Sequence, residues 1–249
     1  MTAATTAPGS ETKTGPFLRL APLLALLAGG LLRLSFAWSA SFPLNDGGLF
    51  YLMVQELRQA GYRLPSFTAY NGGQIPFAYP PLGLYLAGLV ADLGRWSLLD
   101  VFRLLPAVLS VATIPASYAL ARDVLPARTA AVGAVLAFAF MPGSFAWQIM
   151  GGGVTRAPGM LLATLAVQQA YRLYTRRSLH HLLAAAVCSA GAVLSHLAMA
   201  WAAALGIALL ALTLGRSRRG LVTSLLLVAG TLGLSSPWWA TVIARHGLA

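Results

Sequence analysis

The sequence predicts an all-α, polytopic membrane protein with about seven transmembrane helices and two interfacial helices in its first external loop. Two observations support this fold class. Hydrophobic residues make up 58% of the chain, charged residues only 9%, and the mean hydropathy is +0.73. The apolar residues also occur in long runs, separated by short segments that are basic or rich in Gly and Pro, which is the pattern of successive spanning helices.

The formal net charge of +11 arises from 17 basic and 6 acidic residues. Such an excess would suit nucleic acid, but the arginines lie at the ends of the apolar runs, where cytoplasmic loops of membrane proteins concentrate them. We therefore expect membrane lipid as a partner and no nucleic acid. The single cysteine, Cys188, lies inside an apolar run, which excludes a disulfide framework or a cysteine-based metal site.

Residues 1–16 are small and mostly polar, and we expect a disordered cytoplasmic tail there. Residues 17–249 are expected to form a single transmembrane module. Its first run, Phe17–Ala40, is long enough to cross a bilayer, and the many apolar runs that follow favour an uncleaved helix over a signal peptide. Arg33 lies near the outer end of this helix, where we expect it to snorkel to the headgroups rather than bind a lipid phosphate.

Three short basic loops orient the remaining helices, because the positive-inside rule places them all in the cytoplasm. These loops are Arg122–Arg128, Arg172–His181 and Arg216–Arg219. The helices between them then alternate in direction, in a multi-pass arrangement in a bacterial-type cell membrane. The spans predicted after the first are Arg103–Ala121, Thr129–Gln148, Pro158–Tyr174, Leu182–Leu194, Leu197–Leu214 and Leu221–Leu234.

Residues 41–103 must then form an external loop, since both ends of this segment lie outside. Asp46–Gln59 is predicted as an interfacial helix because its apolar residues share one face, and Pro81–Leu93 as a second because it is short for a span. An alternative with eight spans, in which residues 81–93 cross, breaks the positive-inside rule and is rejected. Between the two helices, Leu64–Tyr79 is rich in Gly and aromatic residues and is suited to lining a substrate site.

This topology gathers the polar segments at the outer face. Asp46 follows the first span and precedes two glycines, where a carboxylate can act as a general base, orient a hydroxyl or amine nucleophile, or cap a helix. Gly152 and its neighbours leave N–H groups open beside Thr155 and Arg156, which fits either a phosphate site or a plain turn. His196, at a tight outer turn, can bind a phosphate, transfer a proton or simply be hydrated.

At these residues the chain resembles the GT-C superfamily of integral-membrane glycosyltransferases, most closely the bacterial protein mannosyltransferases and the aminoarabinose transferase. The resemblance rests on Asp46 after the first span, on Tyr79-Pro80-Pro81-Leu82 at the start of a later helix, and on two interfacial helices in the first external loop. It covers nearly all of residues 17–249. The segments at residues 151–156 and 195–196 are also similar to those of bacterial membrane proteins in this neighbourhood.

The resemblance implies a sugar donor linked to polyprenyl phosphate and transfer at the outer face of the membrane. It implies that Asp46 is the catalytic base or a carboxylate that orients the acceptor. The residues expected to bind the donor and its phosphate are Tyr79, Gly152, Thr155, Arg156 and His196.

The sequence departs from the superfamily pattern in two places. Many relatives carry a second acidic residue in the next external loop, whereas this loop reads Thr155-Arg156-Ala157-Pro158. A divalent cation therefore stays open as a cofactor, and no metal ligands are predicted. Relatives also usually continue with further spans, so we expect a partner chain or a missing C-terminal region. The alternative functions are a non-catalytic lipid-binding or transport module, or a truncated half of a larger transferase.

Overall fold

The computed structural model describes residues 16–39 and 47–247. The predicted tail, residues 1–16, therefore lies outside the described residues except for Pro16, which begins the first helix. The described residues are almost entirely helical, which confirms the all-α prediction. Within them the α-helices are α1 (Pro16–Ser39), α2 (Gly48–Gln59), α3 (Leu82–Gly94), α4 (Leu98–Val124), α5 (Arg128–Phe140), α6 (Ala146–Ile149), α7 (Gly153–Arg176), α8 (Leu179–Ser195), α9 (Leu197–Leu214) and α10 (Arg218–His246).

Four of the described helices are long and apolar enough to cross a membrane, which is compatible with a membrane protein. They are α1 from Leu18 onward, α4, α9 and α10. A fifth candidate consists of α5 and the segment Pro142–Ile149, which pass the same test together but are bent by 82°. The described residues thus provide four candidate spans, or five with the bent pair, where the sequence predicted seven.

The two other predicted spans correspond to α7 and α8, which are not among these candidates. Each has a physical reason for failing the test of length and hydropathy. At 17 residues, α8 is short for a span. α7 is the central helix, packed against α3, α4, α6, α8 and α9. Because neighbouring helices cover α7, polar side chains on it such as Gln168 can be buried against protein.

The central helix also separates two ends of the bundle that differ in chemistry. α7 has 24 residues, so its ends lie about 36 Å apart. At its C-terminal end, Arg172 Nε donates to Asp123 Oδ2 at 2.6 Å, and Tyr174 Oη lies 2.8 Å from Ser224 Oγ. The ends of α4 and α7 and the start of α10 therefore meet there. We call this the basic end, because it carries the three arginine-rich loops of the sequence.

The opposite end of α7 meets the long segment between α1 and α4. α3 packs against the first turn of α7, and Arg245 near the end of α10 donates to the carbonyl oxygen of Leu64 at 2.8 Å. The ring of Phe67 lies 5.1 Å from that of His246. We call this the aromatic end. The loops predicted as external thus share one end of the bundle, and the arginine-rich loops share the other.

A small antiparallel hairpin lies between α2 and α3, within Leu64–Tyr79, the segment predicted to line a substrate site. In it β1 (Phe67–Thr68) pairs with β2 (Ile75–Pro76) around a 3-10 turn at Tyr70–Gly72. Asn71 in this turn has a φ of 55°, in the left-handed region that Asn tolerates better than most residues. The turn reverses the chain and brings the end of the hairpin back toward α2.

α2 and α3, the predicted interfacial helices, begin and end close to their predicted bounds and pack against each other. Arg58 of α2 donates through Nε to Asp92 of α3 at 2.9 Å, and the Tyr62 hydroxyl donates to the same carboxylate at 2.5 Å. The bonds from Arg58 and then Tyr62 hold the pKa of Asp92 below its usual value. The aspartate is therefore charged near neutral pH and ties the two helices together.

Arg33 is fully buried in α1, so the expectation that it snorkels to the headgroups was wrong. Its guanidinium instead donates to Gly29 O, Ser110 Oγ, Phe138 O, Ala139 O and Ser144 Oγ, at distances from 2.6 to 3.2 Å. The ring of Phe145 also lies 4.6 Å from the guanidinium carbon. Two of these acceptors are carbonyls at the end of α5, where helical partners run out. Arg33 therefore stabilises the bend between α5 and α6.

The last helix, α10, extends from Arg218 to His246, well beyond the predicted Leu221–Leu234. It continues through Pro237, which lacks the N–H that would serve the carbonyl of Gly233. The Ser236 hydroxyl donates to that carbonyl at 2.7 Å and replaces the missing bond. Ser235 and Ser236, which follow the predicted end at Leu234, thus lie within the helix.

Candidate functional site

Asp46, the predicted catalytic residue, lies outside the described residues. Gly47, to which it is bonded, is described and buried, and its carbonyl accepts a hydrogen bond from the N–H of Tyr51 at 2.9 Å. This bond forms the first turn of α2. The next residue, Gly48, packs toward the hairpin turn, since a Cβ atom built on it would lie 3.6 Å from the hydroxyl of Tyr70. The described chain therefore resumes after Asp46 at the aromatic end.

Phe50, one turn into α2, joins two of the predicted donor-binding residues. Its ring packs edge-to-face on that of Tyr79, with centroids 4.6 Å apart. Its Cε2 atom would lie 3.0 Å from a Cβ atom built on Gly152, so only glycine fits there without displacing the ring. The Tyr79 ring in turn lies 6.3 Å from that of His196. One chain of contacts therefore links Gly152, Tyr79 and His196.

Arg156 lies one turn after Gly152, on the first turn of α7. Its Nη1 atom donates to the carbonyl oxygen of Trp147 at 3.1 Å, and its guanidinium lies 5.7 Å from the centre of the Trp147 ring. Its Nη2 atom would lie 3.7 Å from a Cβ atom on Gly152. The guanidinium thus lies at the N-terminus of α7 and contacts α6. Its positive charge adds to the partial positive charge that the helix N-terminus already carries.

His196 forms the junction between α8 and α9. Its Nδ1 atom is buried and has no hydrogen-bond partner among the described residues. Burial, followed by the positive charge of Arg156, lowers the pKa of His196 below its ordinary 6.5, so its ring is neutral near pH 7. Gly159 of α7 permits this position, because a Cβ atom there would lie 3.0 Å from the Cβ atom of His196.

Thr155 takes a different position from the other predicted residues. It is fully buried, and its hydroxyl donates to the carbonyl of Gly152 at 3.0 Å. α3 presses directly on this turn, since a Cβ atom on Gly83 would lie only 2.4 Å from the Val154 carbonyl oxygen. Thr155 therefore lies in the contact between α3 and α7.

A cavity of about 360 Å³ opens beside Tyr79 and His196. Leu49 and Met53 of α2 contribute apolar surface, and the hairpin contributes Thr68, whose buried hydroxyl has no partner among the described residues. A mostly apolar cavity with a few convergent polar groups is typical of small-molecule sites, and this volume lies in their usual range. Gly152 and Arg156 do not line the cavity. Gly152 is linked to it through Phe50, which packs on Tyr79, and the charge of Arg156 acts on His196.

Two residues of this site were not singled out by the sequence analysis. Thr68 and Phe50 acquire their positions only through tertiary contacts, although Thr68 falls within the segment predicted to line a substrate site. Glu56 is held by the hairpin, because its Oε1 atom accepts the N–H of Ala69 at 2.8 Å. Within residues 16–39 and 47–247, no group of three or more His, Cys, Asp or Glu side chains could hold a metal ion.

Comparisons with protein-family models, curated proteins and solved structures give no match to this chain. The resemblance to the GT-C superfamily therefore rests on the sequence motifs alone.

Proposed function

We propose that the protein is a membrane glycosyltransferase of the GT-C type, which moves a sugar from a polyprenyl-phosphate donor to an acceptor at the outer face of a bacterial-type cell membrane. The observation that supports this function most is a chain of contacts that joins the Gly152–Arg156 turn to Tyr79 and His196, which line one cavity. These residues come from three distant parts of the chain, and two of them border the cavity directly.

The proposed topology has seven spans: α1, α4, α5 with α6, α7, α8, α9 and α10. With the basic end in the cytoplasm, this order agrees with the positive-inside rule and brings the aromatic end outside. The contacts at each end of the bundle support it, because Asp123 pairs with Arg172 at one end and Arg245 binds Leu64 O at the other. Burial of α7 among its neighbours explains how a less apolar helix can cross.

In the proposed reaction, a hydroxyl or amine of the acceptor attacks the anomeric carbon of the donor sugar, and the bond from that carbon to the phosphate oxygen breaks. Asp46, bonded to Gly47 at the start of α2, accepts the proton of the acceptor. The polyprenyl phosphate leaves with the electron pair of that bond, so its oxygen gains one negative charge. Arg156 stabilises this charge through charge-assisted hydrogen bonds.

His196 contributes to this site as a neutral group. Its lowered pKa makes the imidazole a hydrogen-bonding partner rather than a second cation. Arg156 is then the source of positive charge, and the hydroxyls of Tyr79 and Thr68 are available to orient the sugar. Each of these residues thus has a separate proposed role, which a single substitution can test.

The decisive experiment replaces Asp46 by Asn and measures sugar transfer from polyprenyl-phosphate donors in proteoliposomes containing the full chain. We expect transfer to fall by about 100-fold or more, because the carboxylate that takes the proton is lost. Asp100→Asn is the matched control, since Asp100 lies in the same predicted loop and, among the described residues, its carboxylate accepts a hydrogen bond from Ser97 at the start of α4.

Unchanged transfer by Asp46→Asn would remove Asp46 from the mechanism. Failure of the unaltered chain to transfer any sugar, while it still retains the lipid donor, would favour the non-catalytic lipid-binding module instead. A gain of transfer only on addition of a second chain would identify the protein as part of a larger transferase.

A further inference from the structure

The basic end contains a second cavity, of about 700 Å³, between the end of α7, the start of α8, the end of α9 and the start of α10. Arg177, Arg218 and Arg219 line it, together with hydroxyl groups such as that of Thr223. It lies at the other end of α7 from the cavity beside His196. It is therefore a separate site.

The charge of this cavity is not compensated within the described part of the chain. No carboxylate lines it, and none of the described carboxylates pairs with Arg177, Arg218 or Arg219. Asp123, which lies at the same end, is engaged by Arg172 and by the amide of Gln168. Two helix N-termini (α8 and α10) and two C-termini (α7 and α9) meet at the rim, so their partial charges oppose each other and the arginines set the sign of the site. An anion is the ligand that such a cavity favours.

A second, apolar cavity of about 340 Å³ lies beside this site, between α8, α9 and α10. Its walls are mostly alanine, leucine and valine side chains, including Ala204, Ala208 and Ala211 on one face of α9. Tyr174 borders both cavities, so the anionic site and the apolar groove adjoin each other. A free anion would use only the first of them, whereas an anionic lipid would use both.

We propose that the basic end binds an anionic phospholipid, with its phosphate among Arg177, Arg218 and Arg219 and one acyl chain in the groove between α9 and α10. Guanidinium groups bind phosphate oxygens by charge-assisted hydrogen bonds, and basic pockets between membrane helices bind anionic headgroups in this way. The groove removes the acyl chain from contact with other lipids and gives the site its preference for a lipid over a soluble phosphate. The proposal does not depend on the proposed transferase activity.

The test uses the full chain, purified in detergent, and measures retained lipid by native mass spectrometry in titrations with phosphatidylglycerol and with phosphatidylcholine. We expect phosphatidylglycerol to bind more tightly. The double variant Arg218→Gln, Arg219→Gln should weaken this binding by about 25-fold, at about fivefold for each arginine. Arg216→Gln is the matched control, because Arg216 lies outside the cavity and its Nε atom donates to Leu212 O at 2.7 Å.

A second arm separates a lipid from a soluble anion. Ala208→Phe fills the groove and should weaken phosphatidylglycerol binding while leaving the binding of glycerol phosphate unchanged. Two results would overturn the lipid proposal and assign the site to a soluble anion. Either glycerol phosphate binds as tightly as phosphatidylglycerol, or Ala208→Phe leaves the affinity for both ligands unchanged.

An equal loss of phosphatidylglycerol affinity in the Arg216 variant and the double variant would also overturn the proposal. It would show that net charge alone, and not the cavity, determines binding. Should the double variant fail to fold, Arg177→Gln tests the same cavity from the end of α7. An unchanged affinity in that variant would again contradict the proposed site.

Discussion

At the scale of single residues, the structure depends on polar side chains whose partners lie far away in the sequence. Arg33 reaches Ser110 over 77 positions and Ala139 over 106. No local pattern reveals such partners, and an arginine near the end of an apolar run looks the same whether it faces headgroups or protein. The same holds for His196, which the sequence identified as a candidate but whose contact with Tyr79 arises only from the fold.

Replacing Arg33 by Gln should lower the free energy of unfolding by about 2–4 kcal/mol, because carbonyls at the end of α5 lose hydrogen bonds from a charged donor. Thermal unfolding in detergent measures this change. Arg63→Gln serves as the control, since Arg63 is exposed, and should change stability by less than about 0.5 kcal/mol. Equal stability of both variants would contradict the role assigned to Arg33.

The lowered pKa of His196 predicts a pH dependence of stability. Its folded-state pKa lies below the ordinary 6.5, so the unfolded chain takes up the proton first as the pH falls. Stability is therefore complete above pH 6.5 and decreases below it, through the window down to the folded-state pKa. Unfolding midpoints between pH 7.5 and about pH 5 should show a shallower decrease for His196→Gln than for His246→Gln. The same slope in both variants would show that His196 does not carry the effect.

At the scale of helices, the type and order of most elements could be predicted, and their ends and bends could not. α9 spans the predicted Leu197–Leu214, because one uniform apolar run defines it. The run Thr129–Gln148 instead breaks after Phe140, since Pro142 disfavours a helical conformation at Met141. α10 shows the opposite outcome at Pro237, where a serine hydroxyl supplies the missing partner. Whether a proline ends a helix therefore depends on neighbouring side chains, which intrinsic helix propensity does not describe.

The contact between α3 and α7 predicts a strong effect of a single methyl group. Gly83→Ala would place a Cβ atom 2.4 Å from a backbone oxygen that cannot rotate away, so the two helices must separate. We expect a loss of about 1–3 kcal/mol in unfolding free energy. Thermal unfolding measures it, with Gly133→Ala as the matched control, because a Cβ atom there meets nothing within 4 Å.

Gly133→Ala should be neutral or raise stability by up to about 1 kcal/mol, because alanine favours a helix interior over glycine. Separation of α3 from α7 should also reduce any activity at the aromatic end, since Tyr79 lies just before α3 and Arg156 lies on the first turn of α7. Identical behaviour of the two glycine variants would show that the α3–α7 contact tolerates an added methyl group.

At the scale of the whole molecule, the distribution of charge separates the two ends of the bundle. The arginine-rich loops meet at one end, and the candidate site lies at the other. The sequence predicted this separation through the positive-inside rule, because charge asymmetry is a property of the chain that needs no contacts. The cavities themselves could not be predicted, since each is formed by several helices whose packing the sequence does not display.

The proposed topology predicts which surface positions react from outside intact cells. In a Cys188→Ser background, Ser66→Cys at the aromatic end should react with a membrane-impermeant maleimide. Ala127→Cys at the basic end should react only after the cells are permeabilised. Both positions are exposed in the structure, so a lack of reaction reflects the side of the membrane. Labelling of both cysteines from outside would refute the proposed orientation.

The five bonds of Arg33 also set an order of events during synthesis. α1 leaves the ribosome before Ser110, Ala139 or Ser144 exists, so its guanidinium begins without those acceptors. The first helix can reach its final place only after α4 and α5 have arrived. The N-terminal part of the bundle can thus be completed only after the chain has grown past residue 144.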